Sequence, residues 1–139
     1  MSLTALTVAI AAITLPREAM DQIAGNWAAQ GYGAVVRMQP CAERPDELCG
    51  QLLWVWDPED VEPGGVGGLM LEGFRFEEDR WRGGRLTNPE DGRVYRGSIR
   101  QRDENTLDLK GCAARVLCAS QTWRRLESLP HVTGLSDQP

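Results

Sequence analysis

The chain has 139 residues, of which 42% are hydrophobic, and a net charge of −5. This length fits one domain with a hydrophobic core of its own, and the negative charge argues against nucleic acid or an anionic membrane surface as a partner. The only histidine is His131, which argues against Ser-His, Cys-His and multi-histidine metal sites.

The chain begins with an apolar segment. Every residue from Leu3 to Leu15 is Leu, Ile, Val, Ala or Thr, and this run is too short to cross a bilayer as a helix. It is either the core of an export signal, although no Lys or Arg precedes it, or a helix docked on the domain. We therefore assign 1–22 to a signal peptide or an N-terminal apolar segment. In the case of export, we expect the mature chain to start beyond Ala11.

From residue 23 the chain alternates apolar and polar residues in short runs, separated by Gly, Asn, Asp and Pro. This pattern predicts strands and turns. The predicted strands are Ala24–Ala29, Ala34–Gln39, Gly50–Trp56, Leu69–Phe76, Arg80–Leu86, Arg93–Gln101, Thr106–Cys112 and Val116–Leu126. Eight strands with short connections favour an antiparallel up-and-down barrel, because closure removes exposed sheet edges. We expect this barrel domain over 23–129 and a disordered tail over 130–139.

The four cysteines form two close pairs in sequence, Cys41 with Cys49 and Cys112 with Cys118. Both spacings suit a disulfide across a hairpin, and neither has the spacing of a zinc site. In the first hairpin this pairing places Val36 opposite Trp54, Met38 opposite Leu52 and Ala34 opposite Trp56. In the second it places Leu107 opposite Trp123, Leu109 opposite Gln121 and Gly111 opposite Ala119.

Both registers put the cysteines on the polar face of their hairpin. Since this agreement has no cause if the bonds cross between hairpins, we prefer the local connectivity among the three that are available. Disulfides require an oxidising compartment, so we expect a periplasmic or secreted bacterial protein.

The first and last strands carry a recognisable pair of features. Gly25-Asn26-Trp27 opens the first strand, and Arg125 in the last strand has the inward parity of Trp123. This G-x-W start and terminal arginine resemble the calycin pattern of lipocalins and avidins. The resemblance implies that Arg125 packs over Trp27 at the base of the barrel, a cation–π contact.

A closer resemblance covers nearly the whole domain. It includes G-x-W, Cys41 with Leu48-Cys49-Gly50, Trp81-x-Gly83-Gly84-x-Leu86, Asn88-Pro89-x-x-Gly92-x-x-Tyr95, Gly111-Cys112, Leu117-Cys118 and Ser120-Gln121-Thr122-Trp123. Together these motifs resemble the bacterial family DUF2147, a domain of unknown function that usually follows an export signal. The resemblance implies a small exported β-barrel and no particular activity.

The aromatic residues suggest a binding function. Indole and phenol rings that face the lumen could hold a small hydrophobic or ring-shaped ligand, although side chains alone can also fill a small barrel. The candidate ligand-binding residues are Trp54, Trp56, Trp81, Tyr95 and Trp123. Glu72 alternates with Met70 and Phe74, so we also consider that it points inward, where an arginine would have to pair with it.

The alternative function uses the outer surface. Arg96, Arg100 and Arg102 recur with period two, which predicts an exposed arginine stripe that could bind an anionic envelope polymer or another protein. The opposing interpretation is a solvated surface of ion pairs. We expect no catalytic residues, no metal and no cofactor, so the sequence favours a binding protein over an enzyme, with no nucleic acid partner and no membrane-spanning segment.

Overall fold

The computed structural model describes residues 4–5, 13–57 and 65–129, and the strands within these ranges form one closed antiparallel barrel. The eight strands follow one another round the barrel in chain order. They are β1 (Gly25–Ala28), β2 (Ala34–Pro40), β3 (Leu48–Val55), β4 (Leu69–Glu77), β5 (Arg80–Thr87), β6 (Val94–Asp103), β7 (Thr106–Ala114) and β8 (Leu117–Arg125). Each begins and ends within two residues of its predicted limits, and the predicted eight-stranded up-and-down barrel is confirmed.

A short helix precedes the barrel. This helix, α1 (Pro16–Ile23), starts with a proline at its first turn, where the missing N–H costs nothing. It buries Ala19, Met20 and Ile23 against one end of the barrel. A docked helix was one of the two alternatives for the N-terminal segment over 1–22, but it was expected in the apolar run from Leu3 to Leu15, whereas α1 follows that run.

The same end of the barrel is closed by Trp27 and Arg125. These residues pair where β1 meets β8, and the Arg125 guanidinium carbon lies 4.3 Å from the centre of the Trp27 ring. Trp27 is fully buried, and its indole N–H donates to the carbonyl of Ile23 at 2.8 Å. The predicted cation–π contact is therefore present. The hydrogen bond from Trp27 to Ile23 also joins the barrel to α1.

Arg125 also serves as a cap for three backbone carbonyls. Its guanidinium donates to the carbonyl oxygens of Gln22, Ala24 and Glu104 at 2.6, 3.0 and 2.9 Å. A Cβ at Gly25 would lie 2.8 Å from the Arg125 Nη1 atom, and Gly25 has a φ of +128°. Glycine is required here for both reasons, which explains the first position of the G-x-W motif.

The first disulfide hairpin departs from its predicted register. The Cys41–Cys49 bond is present, but the ladder partner of Cys49 is Gln39, and Cys41 lies just beyond the end of β2. The register then shifts again between Val35 and Val36, where β3 has one residue more than β2. The predicted pairs of Val36 with Trp54, Met38 with Leu52 and Ala34 with Trp56 are therefore wrong.

This bulge decides which β3 side chains enter the barrel. Leu52 and Val55 are buried, whereas Trp54 and Trp56 are 43% and 79% exposed and contact each other edge to face outside the core. An extra residue in one strand reverses the alternation of side chains beyond it. The predicted inward orientation of Trp54 and Trp56 is wrong for this reason.

The second disulfide hairpin has the predicted register. Cys112 pairs with Cys118 and forms the second bond, and Leu107, Leu109 and Gly111 lie opposite Trp123, Gln121 and Ala119. Both local disulfides are thus confirmed.

A bulge also corrects the position of Glu72. Gly73, with a φ of +76°, interrupts the alternation of β4, so that Leu71 and Phe74 are buried and Glu72 is exposed. Glu72 forms an ion pair with Arg85 at 3.2 Å on the outer surface. The inward orientation considered for Glu72 is therefore wrong, although it does have an arginine partner.

Some predictions lie outside the described residues. Most of the apolar segment over 1–15 and all of the predicted tail over 130–139 belong to this part of the chain. Within the described ranges, no helix has the length and apolar character needed to span a membrane.

Candidate functional site at the open end of the barrel

The two ends of the barrel differ. The turns β2–β3, β4–β5 and β6–β7 lie at the end that α1 covers, which we call the closed end. The connections β1–β2, β3–β4, β5–β6 and β7–β8 lie at the opposite end, which we call the open end. This division follows from the antiparallel order of the strands.

The open end leads into a cavity of about 780 Å³. This volume lies within the range of about 300–1,000 Å³ that is usual for small-molecule sites. The wall is mainly apolar and includes Val55, Met70, Leu86, Leu109 and Trp123. Trp123 is 1% exposed, so its ring belongs to the packed core and leaves little of its surface open to the cavity.

The cavity exists because a belt of small residues crosses the barrel. Gly84 pairs with Gly97, Gly97 with Gly111, and Gly111 with Ala119 across β5 to β8. The Phe74 ring covers the first two glycines, since a Cβ would meet it at 2.1 Å from Gly84 and 3.1 Å from Gly97. At Gly111 a Cβ would meet Tyr95 and Leu86 only at the ordinary contact distances of 3.5 and 3.7 Å, and Gly111 and Ala119 line the cavity.

Two glutamines contribute polar groups to the cavity wall. The Gln121 Oε1 atom accepts a hydrogen bond from the Trp123 indole at 2.9 Å, and Gln30 Oε1 accepts from the backbone N–H of Thr122 at 2.8 Å. An N–H can donate only to the oxygen of a carboxamide, so both side-chain orientations are fixed. The amide nitrogens of Gln30 and Gln121 form no hydrogen bond within the described part of the chain.

The outer part of the cavity carries acidic side chains. Asp57 and Glu90, both exposed, belong to its wall, and so does Asn88. Asn88 Oδ1 accepts from the backbone N–H of Glu90 at 2.9 Å. No arginine or lysine among residues 13–57 and 65–129 lines this cavity.

The candidate ligand-binding residues separate into two groups. Tyr95 and Trp123 line the cavity, and Trp56 lies at its outer margin. Trp81 is buried in the core beside Phe76, with ring centroids 5.3 Å apart, and Trp54 lies on the outer surface. Neither Trp54 nor Trp81 reaches the cavity wall.

Several wall residues were missed by the sequence analysis. Leu86 and Leu109 have the inward parity of their strands and could have been found from it. The alternating small residues Gly111 and Ala113 were a further signal, because inward residues without side chains leave space. Gln30 could not have been found, since its contact with β8 spans 92 residues.

Large apolar side chains are exposed round the open end. Tyr32, Trp54, Trp56, Val66, Leu69, Val94, Val116 and Leu117 all belong to its connections or adjoining strand ends. The β8 strand is also incompletely paired here, since β1 pairs only with Arg124 and Arg125. An exposed apolar cluster of this kind is typical of a surface that meets a ligand or partner.

The arginine stripe is exposed, as predicted, but it is mixed with acidic groups. Arg102 forms a bidentate ion pair with Asp108, at 2.6 and 3.0 Å. Arg96 lies opposite Arg85, which binds Glu72. A surface groove of about 830 Å³ includes Arg85 and Arg96, with Glu47 and Glu72 also on its wall. The described surface therefore offers alternating charges rather than a continuous basic face.

The resolved pKa shifts belong to the closed end. A hydrogen bond from Arg80 lowers the pKa of Asp79, and the backbone N–H of Asn105 lowers the pKa of Asp103. Within the described ranges, no group of three or more His, Cys, Asp or Glu residues is arranged to hold a metal ion.

Comparison with a solved structure supports the fold. Protein HP1028 from Helicobacter pylori, which is described as belonging to the lipocalin family, superposes with a TM-score of 0.59 and 14% sequence identity. The similarity covers 75% of this chain and 82% of HP1028. At this identity it shows a lipocalin-like barrel and nothing about the ligand. No curated protein matches the chain significantly.

The family model gives a more specific result. Residues 25–125, from the first residue of β1 to the last of β8, match the model described as an uncharacterized protein conserved in bacteria, DUF2147. The match contains both disulfides, the Trp27–Arg125 contact and most of the cavity wall. The chain is therefore a member of the DUF2147 family with a lipocalin-like barrel.

Proposed function

We propose that this protein is a non-enzymatic carrier that binds a small hydrophobic ligand in the cavity at its open end. The cavity of about 780 Å³ carries this proposal, because an apolar wall in contact with water favours a ligand that covers it. Tyr95, which is half-buried, provides a ring surface that a ligand can cover.

The proposal is tested by blocking the cavity. Gly111 faces the lumen beside Tyr95 and Leu86, where its Cβ would find ordinary contacts at 3.5 and 3.7 Å. Gly111→Leu should occupy the cavity and weaken binding of the neutral probe N-phenylnaphthylamine at least about tenfold, since each 1.4 kcal/mol of lost contact is a factor of ten. The measurement is probe fluorescence during titration.

A matched control is available one residue away. Lys110 is exposed on the outer face of β7, so Lys110→Leu adds the same side chain outside the barrel and should leave probe binding unchanged. Native mass spectrometry of protein from its own host should also show a bound molecule. Equal probe binding by the two variants would refute binding in the lumen.

The same proposal includes export to the periplasm or the medium. The two disulfides support it, because such bonds persist in an oxidising compartment. N-terminal sequencing of the mature protein should give a start beyond Ala11. Recovery of chains that begin at Met1 from the cytoplasm, with free thiols, would contradict export.

The alternative function, binding of an anionic polymer or protein through the arginine face, has weaker support. Arg102 is committed to Asp108, and acidic side chains lie between the other arginines. Replacing Arg96, Arg100 and Arg102 together should leave probe binding unaltered. If it abolished a salt-sensitive interaction with an anionic polymer, the alternative would be established.

A further inference from the structure

The polar groups of the cavity wall limit which end group a ligand can carry. This inference about the ligand rests on the proposed carrier function. Three carboxamides lie in the wall, from Gln30, Asn88 and Gln121. Each oxygen already accepts a hydrogen bond from an N–H of the protein. The groups of Gln30 and Gln121 with no hydrogen-bond partner at all among the described residues are their NH₂ donors, whereas each oxygen keeps one lone pair at most.

Donor groups select acceptor groups on the ligand. An ester, amide or alcohol oxygen can accept from the NH₂ of Gln121 or Gln30, whereas a pure hydrocarbon leaves these donors without a partner when it displaces water. A polar group that loses water without a new partner weakens binding. The wall therefore favours an apolar molecule that carries at least one oxygen acceptor.

The charges of the wall decide between neutral and ionised end groups. Glu90 lines the outer part of the cavity, and no cationic side chain from the described ranges lines it. Arg93, the basic neighbour nearest to Glu90 in sequence, is paired with Asp91. A fatty-acid carboxylate would meet like charge there without a basic partner.

We infer that the ligand is an uncharged amphiphile, with an apolar body seated against Leu86 and Tyr95 and an oxygen acceptor that the carboxamide NH₂ groups of Gln121 and Gln30 bind. A fatty-acid anion is disfavoured by the negative charge of Glu90. A cationic amphiphile meets favourable charge at Glu90 but brings donors to a wall whose carboxamides offer donors.

A matched series of ligands tests this inference on the full chain. Methyl decanoate, decanol, decanoate, decylammonium and decane share one alkyl body and compete with N-phenylnaphthylamine at neutral pH. Methyl decanoate and decanol should bind at least about fivefold more tightly than decanoate, the factor expected for like charges about 4 Å apart in water. They should also bind more tightly than decane.

A conservative substitution assigns the effect to one residue. Gln121→Glu keeps an oxygen for the Trp123 indole and the same size, but it replaces the NH₂ donor with a carboxylate oxygen. Affinity for methyl decanoate should fall about tenfold, as expected when one well-placed hydrogen bond is lost. Gln39→Glu, which adds the same charge opposite Cys49 on the outer face, is the control.

The outcomes separate this inference from the carrier function. If decanoate or decylammonium binds most tightly, or if decane equals the ester, the assignment of the end group is wrong while the carrier function stands. An unchanged ester affinity in Gln121→Glu also overturns it. If no ligand in the series displaces the probe and the probe itself does not bind, the carrier function fails.

Discussion

The closed and open ends of this barrel are built from the same strands but differ in how their side chains are packed. At the closed end Trp27, Arg125 and α1 are joined by hydrogen bonds and a cation–π contact. At the open end the inward residues are small and the large apolar side chains lie outside. The stabilising contacts are therefore concentrated at one end and the proposed binding site lies at the other, so the cavity need not weaken the contacts that close the barrel.

The largest expected difference between the ends concerns two tryptophans. Trp27→Ala removes a fully buried ring and should lower the free energy of unfolding by about 3–5 kcal/mol. Trp56→Ala removes a ring that is 79% exposed and should change it by less than about 0.5 kcal/mol. Urea unfolding measures both. Similar losses would mean that stability is not concentrated at the closed end.

The next difference separates two neighbouring arginines. Arg125 binds three carbonyls and the Trp27 ring, so Arg125→Ala should cost about 2–3 kcal/mol. Arg124 is exposed and donates to the hydroxyl of Thr106. Arg124→Ala should therefore lower the free energy of unfolding by about 1 kcal/mol or less.

Arg125→Lys sharpens this test. Lysine keeps the charge but lacks the planar group that reaches several acceptors, so this variant should fall between the wild type and Arg125→Ala. Equal unfolding free energies for Arg124→Ala and Arg125→Ala would disprove the role of Arg125 in closing the barrel.

The smallest expected difference in the free energy of unfolding is between variants at two glycines of the same belt. Gly84→Ala places a methyl group against the Phe74 ring and should cost about 1–3 kcal/mol. Gly111→Ala finds contacts no shorter than 3.5 Å beside the cavity and should change stability by less than about 0.5 kcal/mol. Thermal and urea unfolding of both variants provide the measurement.

A double substitution controls for backbone effects at Gly84. Phe74→Leu shortens the side chain above it, so Gly84→Ala should cost less in the Phe74→Leu background than in the wild type. An equal cost in both backgrounds would show that the Phe74 ring is not the cause. The division of the glycine belt into a filled half and an empty half would then need another explanation.

Local patterns in the sequence were enough to predict most of the fold. Alternation and turn residues determined the strands, the spacing of Cys112 and Cys118 determined one register, and the resemblance of G-x-W and Arg125 to the calycin pattern implied how the barrel closes. These features depend on residues close together in sequence or on motifs in the first and last strands, so they can be recognised without coordinates.

The tertiary structure decided which side chains enter the lumen. The extra residue in β3 turned Trp54 outward and left Trp56 at the cavity margin, and the interruption of β4 at Gly73 placed Glu72 and Phe74 on opposite faces, because an inserted residue reverses the alternation beyond it. Whether space remains depends on residues far apart in sequence, such as Phe74 over Gly84 and Gly97. The sequence by itself therefore determined a closed barrel with two disulfide hairpins, and only packing in three dimensions determined that half of its small-residue belt is an open cavity.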